Sequence, residues 1–79
     1  MRYPDADIFL KQLGKRLKEL RGQQEVSQRE LGLRSGLEKS EIQRLERGGN
    51  TSFKTMLKVV NALDIDYKEL FDFSDPEKE

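Results

Sequence analysis

A short polar stretch near the middle of the chain carries side chains that bind through hydrogen bonds and charge. Over residues 39–47 only Ile42 and Leu45 are apolar. If the stretch is a helix, two apolar residues make a poor stripe for burial, so its polar side is better explained as an exposed face that binds another molecule. The outward positions are Lys39, Ser40, Gln43, Arg44 and Arg47, with Glu41 among them.

The composition argues against catalysis. The chain has no histidine, which is the commonest general base, and no cysteine, which removes thiolate chemistry and disulfides. It contains no glycine-rich phosphate loop, and 79 residues leave little room for a sizeable pocket. We therefore expect one small domain that is not an enzyme and that uses no metal and no cofactor.

The location of the protein is inferred from what the sequence does not contain. No apolar run approaches the roughly 18 residues that indicate a membrane-spanning helix. The N-terminal sequence MRYPDADIF also lacks the apolar core of a signal peptide. These two observations predict a cytoplasmic protein that does not enter a membrane.

Charge is unevenly distributed although the net charge is zero. Residues 1–63 contain 13 Lys and Arg against 8 Asp and Glu, whereas residues 64–79 contain 2 against 7. A basic body with an acidic tail is compatible with a nucleic-acid-binding face on the body. An ordinary mixture of solvated charges can give the same excess, so charge alone does not decide the function.

Capping residues and a glycine predict three helices in the first part of the chain. Asp5 can cap the first helix, which carries a leucine every three or four residues. Ser27 and Glu30 fit the capping-box pattern at the start of the second helix. Gly36 can adopt positive φ where that helix ends and the chain turns. A third helix follows over residues 39–47.

Two more helices are predicted towards the C-terminus. Ser52 can cap the fourth helix and Asp66 a short fifth helix. No strand-like alternation occurs anywhere, so we predict an all-α bundle of five helices with short connections. The expected core residues of the fourth helix are Phe53, Met56, Leu57, Val60 and Leu63.

The sequence SQRELGLRSGLEKSEIQRLERG at residues 27–48 resembles the helix-turn-helix of the Cro and phage-repressor (XRE-type) DNA-binding domains. The similarity continues through residues 13–21 and 50–71, so it covers about residues 8–72. It implies a compact, lambda-repressor-like domain in which helices 2 and 3 form the helix-turn-helix. The shared features are Ser27-Gln28 at the start, Glu30-Leu31 before a small residue, Gly36 in the turn, Ile42, and the closing residues Leu45 to Gly48.

The resemblance also implies a docking mode, with helix 3 in the major groove and its N-terminal half against base edges. It assigns base reading to Lys39, Ser40, Gln43 and Arg44. Lysine or arginine can pair with guanine, glutamine with adenine, and serine with either. Phosphate contacts would come from Gln28, Arg29, Arg47, Thr51, Ser52 and Lys54.

Two further groups of residues gain roles from the resemblance. Arg21 and Glu46 match a pair that forms an internal salt bridge in some members. Family members often dimerise through the C-terminal helix, so Leu70, Phe71 and Phe73 are either ordinary core or contacts between two copies. A two-fold dimer would read half-sites about 34 Å apart.

Some positions depart from the family pattern. Glu38 stands where Ser or Thr usually caps helix 3, and Glu25 where Gly or Asn is frequent before helix 2. Together with Glu41, Glu38 places negative charge on the face that is expected to meet DNA. Most of the attraction to phosphate would then have to come from helices 1, 2 and 4.

We therefore expect a flexible N-terminus at residues 1–5, a helix-turn-helix DNA-binding domain at residues 6–72 and an acidic disordered tail at residues 73–79. The favoured function is a sequence-specific transcriptional regulator, a repressor that binds a double-stranded DNA operator as a homodimer. The alternative is a protein-interaction module, such as an antitoxin or accessory subunit, whose partner binds the acidic tail.

Overall fold

The computed structural model describes residues 5–73, and within them the chain forms five helices and no strand. This confirms the predicted all-α, five-helix fold. No helix in this part of the chain is long and apolar enough to cross a membrane. The helices are α1 (Ala6–Gln23), α2 (Gln28–Ser35), α3 (Lys39–Glu46), α4 (Phe53–Leu63) and α5 (Tyr67–Leu70).

The helices begin where the capping residues predicted. The Asp5 side chain accepts a hydrogen bond from the Ile8 backbone N–H at 2.9 Å, and the Ser27 hydroxyl accepts one from Glu30 at 3.0 Å. Glu30 does not return a hydrogen bond to Ser27; its carboxylate instead accepts one from Arg34 at 2.8 Å, one helical turn later. Ser52 and Asp66 cap α4 and α5 in the predicted way.

The ends of the predicted domain differ slightly from expectation. Asp5 was placed in the flexible N-terminus, but it caps α1. Phe73 was placed in the disordered tail, but its ring packs 5.3 Å from that of Phe9. The rest of both terminal segments, residues 1–4 and 74–79, lies outside the described residues.

The core is an apolar cluster to which every helix contributes. α3 contacts both α1 and α2, α4 packs on α2, and α5 closes the bundle against α1 and α4. Arg16 helps to hold α5 in place, since its Nε donates to the Glu69 carbonyl at 2.9 Å. The buried apolar residues are Leu13, Leu17, Leu20, Val26, Leu31, Ile42, Leu45, Met56, Val59, Val60, Leu63 and Leu70.

The prediction for the core face of α4 was partly wrong. Phe53 and Leu57 are 87% and 58% exposed, whereas Val59, which was not predicted, is fully buried. The physical reason is that α4 is apolar around more of its circumference than α2 and α5 cover. Helical spacing identifies apolar positions, but it does not reveal which of them a neighbouring helix reaches.

Gly14 sets the distance between α1 and α3. It is buried, and a Cβ atom added there would overlap the Leu45 carbonyl oxygen and lie 2.8 Å from that of Glu46. Both obstacles are backbone atoms of the last turn of α3. The helices can therefore pack this closely only because residue 14 has no side chain.

Candidate nucleic-acid interface

The four predicted base-reading residues lie on one face of α3. Lys39, Ser40 and Arg44 are exposed and Gln43 is half-buried. Their spacing places them on the same side of the helix, while Ile42 and Leu45 on the other side are buried in the core. The structure thus brings together four side chains that can donate hydrogen bonds to the edges of bases.

The negative charges at the start of α3 are partly engaged within the helix. The backbone N–H of Glu38 donates to Oε1 of Glu41 at 3.3 Å. A carboxylate at this position also interacts favourably with the positive end of the helix dipole. Glu41 is therefore held against the helix N-terminus, which offsets part of the repulsion it would otherwise exert on a phosphate.

A nearly buried ion pair fixes the back of α3. Arg21 donates through Nε to Oε2 of Glu46 at 2.6 Å and through Nη2 to Oε1 at 2.9 Å, which confirms the predicted pair. The Arg21 Nη1 atom also donates to the Val26 carbonyl at 2.9 Å. The hydrogen bond to Glu46 raises the pKa of Arg21 despite the opposing effect of its burial. The bidentate geometry links α1, the α1–α2 turn and α3 rigidly.

Gln28 extends this network to the first residue of α2. Its Nε2 donates to Oε1 of Glu46 at 3.1 Å. The second hydrogen of that amide nitrogen remains available for another acceptor. Glu46 thus joins the start of α2 to the end of α3, so the two helices of the helix-turn-helix are tied at this point.

Next to this network lies a polar cavity of about 230 Å³. The side chains that line it come from α1, α2, α3 and the residue that follows α3. Two of them, Lys18 and Arg47, are cations, so the cavity suits an anionic oxygen. The lining residues are Lys18, Gln28, Gln43, Glu46 and Arg47.

Lys18 was not among the site residues predicted from the sequence. α1 carries several basic residues, and none of them stands out by spacing alone. The available signal was the position of Lys18 three residues before Arg21, because positions i and i+3 share a helix face. Once Arg21 is paired with α3, Lys18 is also expected on the side of α1 that meets α3.

The predicted phosphate contacts at α4 surround the N-terminus of that helix. Ser52 accepts the backbone N–H of Thr55 at 3.2 Å, and the Asn50 side chain accepts that of Thr51 at 3.0 Å. Lys54 is exposed in the first turn. A helix N-terminus with a neighbouring cation is a suitable position for a phosphate. Arg29, also exposed, lies in the first turn of α2.

The three C-terminal candidates for a dimer contact differ in exposure. Leu70 is fully buried, so it is a core residue and cannot present its side chain to a second copy. Phe71 is 36% exposed, and its ring stacks 6.4 Å from that of Phe9. Phe73 is half-buried against the core.

Comparison with known proteins places this arrangement in a family. A model of the helix-turn-helix family HTH_3 matches residues 17–70. No curated protein sequence matches the chain. Among solved structures, the restriction-modification controller protein C.AhdI from Aeromonas hydrophila is 44% identical, with a TM-score of 0.77. The aligned region covers 78% of this chain and 91% of that protein.

A second solved structure has the same fold with less sequence identity. It is an HTH_3 family transcriptional regulator from Vibrio cholerae, with 22% identity and a TM-score of 0.80. The match covers 92% of this chain and 47% of that protein. Since the family model covers more than half of the sequence, the chain belongs to the HTH_3 (Cro and phage-repressor type) helix-turn-helix family of DNA-binding transcriptional regulators.

Proposed function

We propose that this protein is a sequence-specific repressor that occupies a DNA operator in the cytoplasm, with α3 in the major groove. The observation that carries the proposal is the exposed face of Lys39, Ser40, Gln43 and Arg44 on a helix whose opposite side is locked into the core. Such a helix can present hydrogen-bond donors to base edges at fixed positions. Its role is binding, not catalysis.

Phosphate contacts would come from groups outside the reading face of α3. Lys18, Gln28 and Arg47 would bind one phosphate at the polar cavity that they line. Thr51, Ser52 and Lys54 would bind another at the N-terminus of α4, and Arg29 in the first turn of α2 would be a further contact. These groups supply the attraction that the charge-balanced surface of α3 lacks.

The experiment is selection of bound DNA from a random pool, followed by binding measurements at several salt concentrations. We expect one enriched sequence, and a loss of about 1–3 kcal/mol on it for Lys39→Ala, with relaxed preference at one base pair. Lys54→Ala should instead weaken all sequences equally and lower the salt slope by about 1. Lys58→Ala, which removes an exposed cation from the middle of α4, is the matched control. Failure to enrich any sequence refutes the proposal and favours a protein-interaction module.

We further propose that the protein acts as a homodimer that pairs through α4 and α5. A groove of about 300 Å³ is lined by exposed apolar side chains of these helices and of the residue that follows α5: Phe53, Leu57, Tyr67 and Phe71. Exposed aromatic patches of this kind mark protein contacts. A second copy is the occupant that also explains the function, because a two-fold dimer places two copies of α3 on half-sites of one operator.

The edge of this apolar surface supports a self-complementary contact. Lys68 lies beside Glu69 and Asp72 around the adjoining cavity. A two-fold axis brings the same patch of both copies together, so a cation of one copy can face a carboxylate of the other. An edge that carries both signs of charge therefore suits a contact with the same edge of a second copy.

The oligomeric state can be measured by analytical ultracentrifugation. We expect the wild-type protein to be a dimer at micromolar concentration and Leu57→Lys, which changes the apolar surface one turn away from the phosphate site of α4, to be a monomer that binds the full operator more weakly. Leu33→Lys is the matched control, since Leu33 is 76% exposed on α2 and does not line this groove. A wild-type monomer, or a Leu57→Lys variant that still dimerises, would contradict this interface.

A further inference from the structure

The loop between α3 and α4 holds the guanidinium of Arg44. Nη1 of Arg44 donates to the Asn50 carbonyl at 2.7 Å, six residues further along the chain. Among residues 5–73 the guanidinium makes no other hydrogen bond or ion pair. The side chain is therefore exposed but oriented, with its Nε and Nη2 atoms unoccupied.

Gly49 also contacts Arg44. Its backbone N–H donates to the Arg44 carbonyl at 2.8 Å. A Cβ atom at residue 49 would lie 2.5 Å from Cγ of Arg44 and 2.8 Å from its carbonyl oxygen. The aliphatic stem of Arg44 thus lies directly against the backbone of Gly49.

Backbone conformation does not require glycine at this position. Gly36 and Gly48 have positive φ, whereas Gly49 does not. An L-residue could therefore adopt the backbone angles of Gly49, and the space that a side chain would take from Arg44 is what excludes it. Glycine at residue 49 is therefore explained by two close approaches to residue 44, one to the Cγ of its side chain and one to its backbone carbonyl oxygen.

We propose that Gly49 and the Asn50 carbonyl are positioning groups that prepare Arg44 to read a guanine through its Nε–Nη2 edge. A guanidinium presents five N–H donors in a rigid plane, and two of them can pair with O6 and N7 of guanine. With Nη1 held by the loop, the Nε–Nη2 edge is the pair left for the base. Ordering the side chain before binding reduces the entropy lost on contact. This inference rests on the function proposed above.

The test is a double-mutant cycle that measures base preference. Wild type, Gly49→Ala, Arg44→Ala and the double variant are titrated with the selected operator and with all its single-base variants. We expect Gly49→Ala and Arg44→Ala each to reduce preference at the same base pair by about tenfold. In the Arg44→Ala background, Gly49→Ala should cause no further loss of preference at that base pair, although its contact with the residue 44 carbonyl can still lower stability, and the salt slope should stay constant throughout.

A second variant keeps the test decisive if Gly49→Ala does not fold, which thermal melting will reveal. Lysine can also donate to guanine, but Arg44→Lys replaces the rigid planar guanidinium with a flexible ammonium, so preference at this base pair should fall while the salt slope stays unchanged. Full preference in Arg44→Lys would show that a pre-oriented guanidinium is not needed and would overturn the proposal. The loop would be merely structural if Gly49→Ala weakened binding to all sequences equally. The same would hold if Gly49→Ala reduced preference at this base pair further in the Arg44→Ala background. These outcomes are distinct from a wild-type protein that selects no sequence, which would refute the proposed function itself.

Discussion

Replacing Gly14 by alanine should destabilise the domain through the contact between α1 and α3. The added Cβ would overlap the Leu45 carbonyl oxygen and lie 2.8 Å from that of Glu46, whereas ordinary contact begins at 3.4 Å. Because both atoms belong to the backbone, no side-chain rotation can relieve the overlap. The last turn of α3 must move away from α1, and Glu46, which pairs with Arg21, moves with it.

The size of the effect follows from two opposing terms. Overpacking of a tight contact costs about 1–3 kcal/mol, and a backbone obstacle places this site near the upper end. Alanine in a helix interior recovers about 1 kcal/mol relative to glycine. The net loss should be about 2 kcal/mol, which lowers the melting temperature of a domain of this size by about 8–16 °C.

Circular dichroism during heating and during urea titration measures this loss, and α1 itself offers a matched control. Gly22 lies in the same helix with nothing within 4 Å of an added Cβ, so Gly22→Ala should raise stability by about 0.5 kcal/mol. Glycine to alanine should thus lower stability at one position of α1 and raise it at another. Equal or greater stability of Gly14→Ala would show that α1 and α3 are not held at this distance.

Three further predictions concern the ion pair, the α1–α2 turn and the polar cavity. Glu46→Gln leaves the nearly buried Arg21 without its charge partner and should cost about 3 kcal/mol in urea unfolding; a loss below about 1 kcal/mol would show that the pair is effectively solvated. Glu25 has a φ of 57°, so Glu25→Gly should stabilise the protein by about 0.5 kcal/mol after the entropy of glycine is allowed for, and a lower melting temperature would contradict this. Lys18→Ala should weaken binding to all DNA sequences and reduce the salt slope by about 1, whereas an unchanged slope would place Lys18 outside the interface.

The beginnings of the helices were predictable because their causes are local. A cap at Asp5 or Ser27 needs only a side-chain oxygen and a backbone N–H a few residues away. The salt bridge of Arg21 was accessible only through the family resemblance, because its partner lies 25 residues along the chain. The periodicity of apolar residues located the helices but did not determine which of their apolar side chains are buried, as the exposure of Phe53 shows.

The candidate site likewise has features that could be predicted from the sequence and features that could not. The outward face of α3 follows from helical geometry, since burial of Ile42 and Leu45 determines which side chains point outward. The cavity beside Lys18 and the hydrogen bond from Arg44 to Asn50 depend on how separate segments meet. The spacing of Lys18 and Arg21 indicates only that the two residues share a face of α1, and no local pattern indicates which carbonyl Arg44 contacts, so the assembled structure is needed to reveal both features.

The placement of charge suggests how affinity and specificity are divided in this protein. On α3, the cations of Lys39 and Arg44 are balanced by nearby carboxylates, so this helix gains little from general attraction to DNA. Attraction must come from cations on α1, α2 and α4, which respond to any sequence. Discrimination then depends on how accurately α3 is oriented relative to those cations. Gly14 and the Glu46 network set that orientation from behind, so we expect substitutions there to impair base preference more than their distance from the bases suggests.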